Sequence, residues 1–339
     1  MEYDLFEKYS KEKEPTKYYK SYAWKTAIGL QKVDGLEPSE YLIKTANKNI
    51  DGEISFDDAH KLIASYYKEC NVHAERAEEA DKVSVRIAQI ISEKSFVFSP
   101  IEFITIHRRL FEGIYSHAGK IRDYNITKEE WVLDEDTVTY GNAINLRETL
   151  EYDFSVEKNF SYKGLSTEEM ISHISRFIAN LWQIHIFGEG NTRTTAVFLI
   201  KYLSKLGFNV TNDIFAENSW YFRNALVRAN YNNYTKGVFE TTKYLELFLR
   251  NLLLNEDNVL SNREMHIRHE EIKENEKGVG DRETLLLEIL KANPSITLDE
   301  VAIKIGKSVR TVKIIVKKLQ QGGKLERIGA KKSGKWKVL

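Results

Sequence analysis

Apolar residues recur at helical spacing along most of the chain, which has 339 residues. Between Lys17 and Val33, for example, apolar side chains return every three or four positions and form one stripe. The same periodicity predicts further helices over 40–49, 55–68, 82–93, 100–115, 143–160, 167–185, 194–206, 215–229 and 235–254. Only four prolines interrupt these segments. The chain is therefore predicted to be mainly α-helical.

Two stretches depart from the helical period. Residues 131–133 and 137–140 flank an acidic turn, which is typical of a short β-hairpin. At the C-terminal end, helices over 283–292, 298–305 and 309–321 are followed by strands over 325–328 and 335–339. This order predicts a winged helix-turn-helix domain.

Changes in composition divide the chain into four parts. Residues 1–70 form a helical subdomain, residues 71–255 the main helical domain and residues 281–339 the winged helix. The stretch 256–280 is polar and dense in charge, and it is predicted to be a linker that is partly helical over 263–274.

Composition also limits the class of protein. A single cysteine, Cys70, excludes an internal disulfide and is typical of a reducing cytoplasm. The N-terminus shows no signal peptide, and no apolar run reaches the roughly 20 residues that span a bilayer. We therefore expect a cytoplasmic protein that does not enter a membrane.

Net charge is zero overall, but the C-terminal region is strongly basic. From Ile296 to Leu339 there are twelve Lys and Arg against three Asp and Glu, a net charge of +9. The predicted recognition helix and wing share this sign through Arg310, Lys313, Lys317, Lys318, Lys331, Lys332 and Lys335. Matching charge on both elements favours contacts to nucleic-acid phosphates, and docking of a protein partner is the alternative.

Residue types suited to binding and catalysis are most closely spaced between two apolar helices. They lie in the nine residues from His185 to Arg193 (His-Ile-Phe-Gly-Glu-Gly-Asn-Thr-Arg). Gly190 and Asn191 tolerate left-handed backbone angles, so the loop can turn its N–H groups inward and bind an anion. The following helix adds its N-terminal N–H groups and dipole. These features predict a phosphate-binding loop.

The side chains of this loop suit group transfer. Arg193 can bind phosphate oxygens through two hydrogen bonds, and Glu189 is an oxygen ligand suited to Mg²⁺. His185 titrates near neutrality and can accept a proton from a hydroxyl group.

The loop resembles the motif of the Fic family, His-x-Phe-x-Asp/Glu-Gly-Asn-x-Arg, at every fixed position. The segments 107–111 and 118–122 also look like the stretch that precedes the family's flap, and the resemblance extends over 99–255. It implies a Fic-like helical core that takes ATP and Mg²⁺ and transfers AMP to a Ser, Thr or Tyr hydroxyl of a target protein.

The resemblance also implies roles for individual residues. His185 and Arg193 would be catalytic, and Glu189 would hold the metal. The nucleotide would contact Gly188, Glu189, Gly190, Asn191, Thr192, Arg193, Tyr221 and Asn230. The target segment would add as a strand to the flap at Thr137, Val138 and Thr139.

Two departures from the pattern affect the expected reaction. Many AMP-transferring members continue the motif as Gly-x-Arg-x-x-Arg, whereas this chain has Thr192 and, in place of the second arginine, Ala196. The Doc branch, which transfers a phosphoryl group, also lacks that arginine. Phosphoryl transfer, or a DNA-binding regulator with a nucleotide-sensing or inert Fic core, therefore remains an alternative.

Residues 30–38 resemble the inhibitory helix of the antitoxins that silence Fic toxins. The family's inhibitory glutamate is Asp34 here, and its partner, the second motif arginine, is Ala196. We therefore expect Asp34 to face the loop but to inhibit only weakly.

Overall fold

The computed structural model describes residues 15–69, 75–269, 283, 285–305, 309–328 and 334–339. It divides into two compact units, Met1–Ile267 and Arg268–Leu339. The helices of the first unit are α1 (Pro15–Gly29), α2 (Glu40–Asp51), α3 (Phe56–Glu69), α4 (Glu75–Ser92), α5 (Pro100–Phe111), α6 (Leu146–Asn159), α7 (Thr167–Ile184), α8 (Asn191–Lys205), α9 (Ile214–Arg228), α10 (Lys243–Leu254) and α11 (Asn262–Met265). The mainly helical prediction is confirmed.

Helix α8 is the centre of the first unit. Every residue from Asn191 to Leu203 is buried, because α8 packs against α4, α5 and α7. α8 is therefore an interior helix, although it also buries polar side chains such as those of Arg193 and Lys201. The preceding helix, α7, starts at a capping box in which Ser166 and Glu169 satisfy each other's backbone N–H groups.

The N-terminal helices pack directly on this core. Helix α1 lies against α4 and α9, and it approaches α9 so closely that a Cβ atom on Gly29 would lie 2.3 Å from the Ala216 carbonyl oxygen. The chain then forms a 3₁₀ turn over Leu30–Asp34, which ends at Gly35 in the left-handed conformation (φ 63°). This turn carries Asp34 toward the interior of the unit.

Three segments differ from the sequence predictions. The expected hairpin is a 3₁₀ turn over Trp131–Leu133 with a single bridge between Glu130 and Asp136, because Asp134 and Glu135 take left-handed angles that end the pairing. The helix expected from residue 235 begins at Lys243, after a 3₁₀ turn over Tyr234–Lys236.

The third segment was predicted to be a linker. Residues 256–267 instead pack on the first unit, where Met265 is 1% exposed and the Ile267 N–H donates to the Val132 carbonyl at 3.0 Å. Polar side chains also attach this stretch, since the Asn258 amide donates to Asn251 at 2.8 Å.

The second unit has a helix over 285–292, α12, followed by α13 (Leu298–Ile305), α14 (Val309–Gln321), β1 (Leu325–Ile328) and β2 (Lys335–Val338). The strands pair antiparallel with Leu325 opposite Val338, and Leu325 and Trp336 pack on the helices. The winged-helix prediction is confirmed. Lys331, Lys332 and Cys70 lie outside the described residues, as does the side chain of Arg310.

Within the described ranges, no helix is both long enough and apolar enough to cross a membrane.

Candidate active site

His185 follows the last turn of α7 in the left-handed conformation, with φ at 47°. Its ring is 4% exposed and lies between Tyr140, 4.3 Å away, and Trp182, 5.2 Å away. Burial is the largest influence on the pKa of His185 and lowers it well below the ordinary value of 6.5, and the nearby Lys128 cation lowers it further. The imidazole is therefore neutral at physiological pH and able to accept a proton.

Arg122 holds the backbone around His185. Its guanidinium donates to the carbonyl oxygens of His185 at 2.7 Å and Gly141 at 2.5 Å, and also to those of Ile184 and Tyr124. A left-handed non-glycine residue is unfavourable, and these bonds stabilise it. This role could not be predicted from the sequence, because carbonyl partners leave no side-chain pattern.

The loop after His185 is fixed by its own side chains. The Asn191 amide accepts from the Phe187 N–H at 3.0 Å and donates to the Phe187 carbonyl at 2.8 Å. Phe187 is fully buried, and its ring stacks on His107 at 3.7 Å. Gly190 has φ at 76°, and a Cβ atom there would lie 2.4 Å from the Phe111 ring. Glycine is therefore required at this position on two grounds.

His107 is a further support that sequence reasoning missed. Its Nδ1 accepts from the Gly119 N–H at 2.9 Å, so its Nε2 carries the proton and donates to the Glu189 carbonyl at 2.9 Å. Burial lowers the pKa of His107 to about 4 and keeps the ring neutral. Both nitrogens thus connect the loop to its surroundings.

The N-terminus of α8 is built to receive an anion. Its first residues are Asn191, Thr192 and Arg193, and the capping residue Gly190 has no side chain to satisfy their N–H groups. The Thr192 hydroxyl accepts from the Trp182 indole at 2.9 Å. The Thr192 hydroxyl is therefore already engaged within the protein.

Glu189 projects beside this N-terminus, and its side chain is 56% exposed. Its carboxylate is paired with the Lys128 ammonium at 2.9 Å. A carboxylate that already attracts a cation fits the chemistry of Mg²⁺ coordination. No cluster of three or more ligands suited to a metal occurs in the described residues, so a metal here would depend on the nucleotide phosphates for its other ligands.

Arg193 points away from solvent and is 1% exposed. Its Nε lies 2.7 Å from the Asp34 carboxylate, and its Nη2 donates to Glu79 at 2.6 Å. Gln31 and Tyr115 accept further hydrogen bonds at 3.0 and 3.1 Å. Burial lowers the pKa of Arg193, but Asp34, Tyr115 and Glu79 together raise it above its usual value. The guanidinium is a buried cation with three hydrogen bonds, whereas its Nε meets Asp34 in an ion pair that lacks hydrogen-bond geometry.

Asp34 is itself held in place from α4. The Arg76 guanidinium donates to the carbonyl oxygens of Asp34 and Gly35 at 3.0 and 3.1 Å. Asp34 thus faces the loop through Arg193. Glu79 was missed from the sequence, although it continues the apolar stripe of Val83 and Ile87 on α4, and a polar residue on such a stripe is a usable signal.

Two residues expected to contact the nucleotide have polar groups that are hydrogen-bonded within the protein. The Tyr221 hydroxyl donates to the Tyr244 carbonyl at 3.2 Å, and the side chain is 1% exposed. The Asn230 amide donates to the Ala179 and Leu226 carbonyls, both at 2.9 Å. Because their polar groups are satisfied internally, we carry neither residue into the proposed site.

The flap segment is extended beside His185. Val138 is buried and Thr139 is exposed, and Gln183 donates to the Thr139 carbonyl at 3.0 Å. Thr137 bonds within the flap, accepting from the Lys128 N–H at 3.3 Å. In the described part of the chain this segment has no partner strand beyond the Asp136 bridge.

In the second unit, Lys313 and Lys317 are exposed one turn apart on α14. Lys318 is paired with Glu283 at 2.7 Å. The basic face predicted from the sequence is therefore present on α14, with one of its charges partly neutralised.

Comparison with known proteins agrees with this geometry. Residues 97–203 match the model of the Fic/DOC family, and residues 281–326 match a winged helix-turn-helix DNA-binding model. Among solved structures, the chain is similar to the N-terminal FIC domain of the Bep8 protein, a VirB-translocated effector from Bartonella sp. 1-1C. The two share 18% identity with a TM-score of 0.42 over 55% of this chain and 88% of the other. The chain therefore contains a Fic/DOC family domain, followed by a winged helix-turn-helix domain.

Proposed function

We propose that the chain is a protein adenylyltransferase that moves AMP from ATP to a Ser, Thr or Tyr hydroxyl of a target protein. The observation that carries this proposal is a neutral, buried His185 beside an uncapped N-terminus of α8. A base and an anion-binding N-terminus are the two parts that transfer of a phosphate-centred group to a hydroxyl requires.

In the proposed reaction, the target hydroxyl oxygen attacks the α-phosphorus of ATP. The bond from this phosphorus to the oxygen bridging to the β-phosphate breaks, and pyrophosphate leaves with the electron pair. The hydroxyl proton passes to His185. Nδ1 is enclosed without a hydrogen-bond partner in the described residues, so Nε2 is the nitrogen assigned to accept it.

The loop supplies electrostatic stabilisation. The N–H groups of Gly188 to Thr192 would surround the phosphates, and preorganised donors of this kind are strongest where water is excluded. Arg193 would join them on leaving Asp34. Mg²⁺ held by Glu189 and the phosphates would neutralise charge on the leaving pyrophosphate.

The flap would align the target. In the described part of the chain, Thr137, Val138 and Thr139 have no partner strand beyond the Asp136 bridge, which suits addition of a target segment as a strand. The segment's hydroxyl would then lie next to His185, because Tyr140 directly follows the flap and contacts the His185 ring.

The experiment that tests this function measures pyrophosphate. The full chain is incubated with ATP, Mg²⁺ and a cell lysate, and protein-bound adenylate is mapped by mass spectrometry. Pyrophosphate release should equal the adenylate found on hydroxyl side chains, whereas ADP in place of pyrophosphate would indicate phosphoryl transfer.

For the second unit we propose binding to duplex DNA. Exposed Lys313 and Lys317 lie on one face of α14, where a winged helix presents its recognition helix. Binding of full chain to duplex DNA at increasing salt tests it, because affinity based on phosphate contacts falls steeply with salt.

A further inference from the structure

A cleft of about 690 Å³ opens in the first unit between α1, the end of α4 and the C-terminal half of α8. None of its lining residues belongs to the motif loop or the flap. Four of them are lysines, namely Lys20, Lys94, Lys201 and Lys205. The volume lies within the range of about 300–1,000 Å³ typical of small-molecule sites.

Lys201 is the least expected of these residues, because it is only 7% exposed. Its ammonium donates to the Glu93 carbonyl oxygen, and no carboxylate of the described residues lies within ion-pair distance. Lysine is almost never buried unless it is paired with an opposite charge. Burial lowers the pKa of Lys201, as expected for a cation without a close counter-charge.

The Glu93 and Glu102 carboxylates act on Lys201 from beyond ion-pair distance and raise its pKa, but burial outweighs them. Both oxygens of the Glu93 carboxylate accept from Arg109, at 2.8 and 2.5 Å. The cleft is therefore positive in net charge. A further unused group lies beside it, since the buried Ser92 hydroxyl has no hydrogen-bond partner among the described residues.

We propose that this cleft is a second anion site, separate from the motif loop, which takes a phosphate-bearing small molecule. Lys201 supplies a buried ammonium to the phosphate, and Lys20, Lys94 and Lys205 surround it from the more exposed sides. The Ser92 hydroxyl donates an additional hydrogen bond. Lysine binds phosphate as a compact point charge, and charge-assisted hydrogen bonds of this kind are stronger than hydrogen bonds between neutral groups.

The test is calorimetric titration of the full chain with inorganic pyrophosphate. The double substitution Lys94→Met and Lys205→Met removes two cleft charges from exposed positions. Lys44→Met with Lys48→Met removes the same charge from exposed positions of α2 and is the matched control. Any pyrophosphate bound at the motif loop contributes equally to both.

We expect the cleft variant to lose one class of bound pyrophosphate, with affinity falling about tenfold or more because two charged donors are removed. The control should retain it. Equal binding by the two variants would overturn the proposal.

Lys201→Met provides an independent readout. The ligand-free melting temperature does not decide the matter, because the substitution also removes the bond to the Glu93 carbonyl. Lys201→Met should abolish the rise in melting temperature that pyrophosphate gives at the cleft. A rise in Lys201→Met equal to that of wild type would show instead that Lys201 serves the Glu93 carbonyl alone.

Discussion

Arg193 and Asp34 form an ion pair with 2.7 Å between Nε and the carboxylate. The arginine of the motif loop is thus bound to an acid of the protein itself. The resemblance would place the second motif arginine, which pairs with the inhibitory acid, at the position of Ala196. In this chain Asp34 pairs with Arg193 instead. A nucleotide that uses Arg193 must displace Asp34 and Glu79.

The effect of the Arg193–Asp34 ion pair on ATP affinity can be predicted from the exposed fraction of the Asp34 side chain. Asp34 is 37% exposed, and Glu79 remains on Arg193 at 2.6 Å when Asp34 is removed. We expect Asp34→Ala to raise ATP affinity by about two- to fivefold, since exposed ion pairs contribute at most about 1 kcal/mol. Calorimetry with a non-hydrolysable ATP analogue measures it. A hundredfold rise would show that Asp34 alone closes the site.

Removing Asp34 and Glu79 together should have a larger effect. The double variant leaves a buried arginine unpaired, which costs about 3–5 kcal/mol of stability, and bound ATP replaces the lost partners. ATP should therefore raise the melting temperature of the double variant more than that of wild type. Glu78→Ala with Asp34→Ala is the control, because Glu78 lies on the same helix but pairs with Lys82.

His107 should give the protein a specific pH dependence. Its folded pKa is about 4, below the ordinary 6.5, so the unfolded state binds its proton first as pH falls. The free energy of unfolding should decrease between about pH 6.5 and 4, by up to roughly 1.4 kcal/mol per pH unit.

His107→Leu should remove this contribution while leaving that of His185, so the two unfolding curves should differ in slope only in this window. Denaturant unfolding at several pH values checks the result. Parallel curves would mean that His107 is not held neutral.

Lys128 should compete with Mg²⁺ for Glu189, since its ammonium lies 2.9 Å from that carboxylate. Lys128→Met should lower the Mg²⁺ concentration that half-saturates the nucleotide-bound protein, because the competing cation is gone. Titration of bound nucleotide with Mg²⁺ reports this directly. Lys120→Met is the control, because this exposed lysine donates to the Ser116 carbonyl and not to Glu189. An unchanged or higher Mg²⁺ requirement would argue against competition.

The two neighbouring lysines of α14 should differ in their effect on DNA. Lys317→Gln removes an exposed charge, whereas Lys318 is paired with Glu283 at 2.7 Å. We expect Lys317→Gln to reduce the slope of log affinity against log salt by about 0.9, and Lys318→Gln to change it less. Equal effects, or no binding of the full chain to DNA at low salt, would contradict the assignment.

The motif could be predicted because its residues are consecutive. His185, Gly190 and Arg193 are fixed by one short loop, and the helices around it follow apolar periodicity. The residues that hold this loop in place could not be predicted. Arg122 acts through carbonyl oxygens, and His107 acts through one carbonyl and one N–H group. Such contacts between distant segments leave no local pattern.

Two expectations had a different outcome in the fold. The resemblance implied that Tyr221 contacts the nucleotide, and in the fold its hydroxyl donates to the Tyr244 carbonyl of α10. The acidic turn between residues 131–133 and 137–140 predicted a hairpin, but a 3₁₀ turn over Trp131–Leu133 and left-handed angles at Asp134 and Glu135 leave a single bridge.

The central claim is that His185 serves transfer from the α-phosphate of ATP. The most direct measurement incubates the chain with lysate and ATP labelled separately at the α- and γ-phosphates, in wild type and in His185→Ala. We predict α-label on protein, reduced about 10²–10⁴-fold by the substitution, as for loss of a general base, with ATP affinity retained. Protein labelled from the γ-phosphate, or α-label that persists in His185→Ala, would contradict the account.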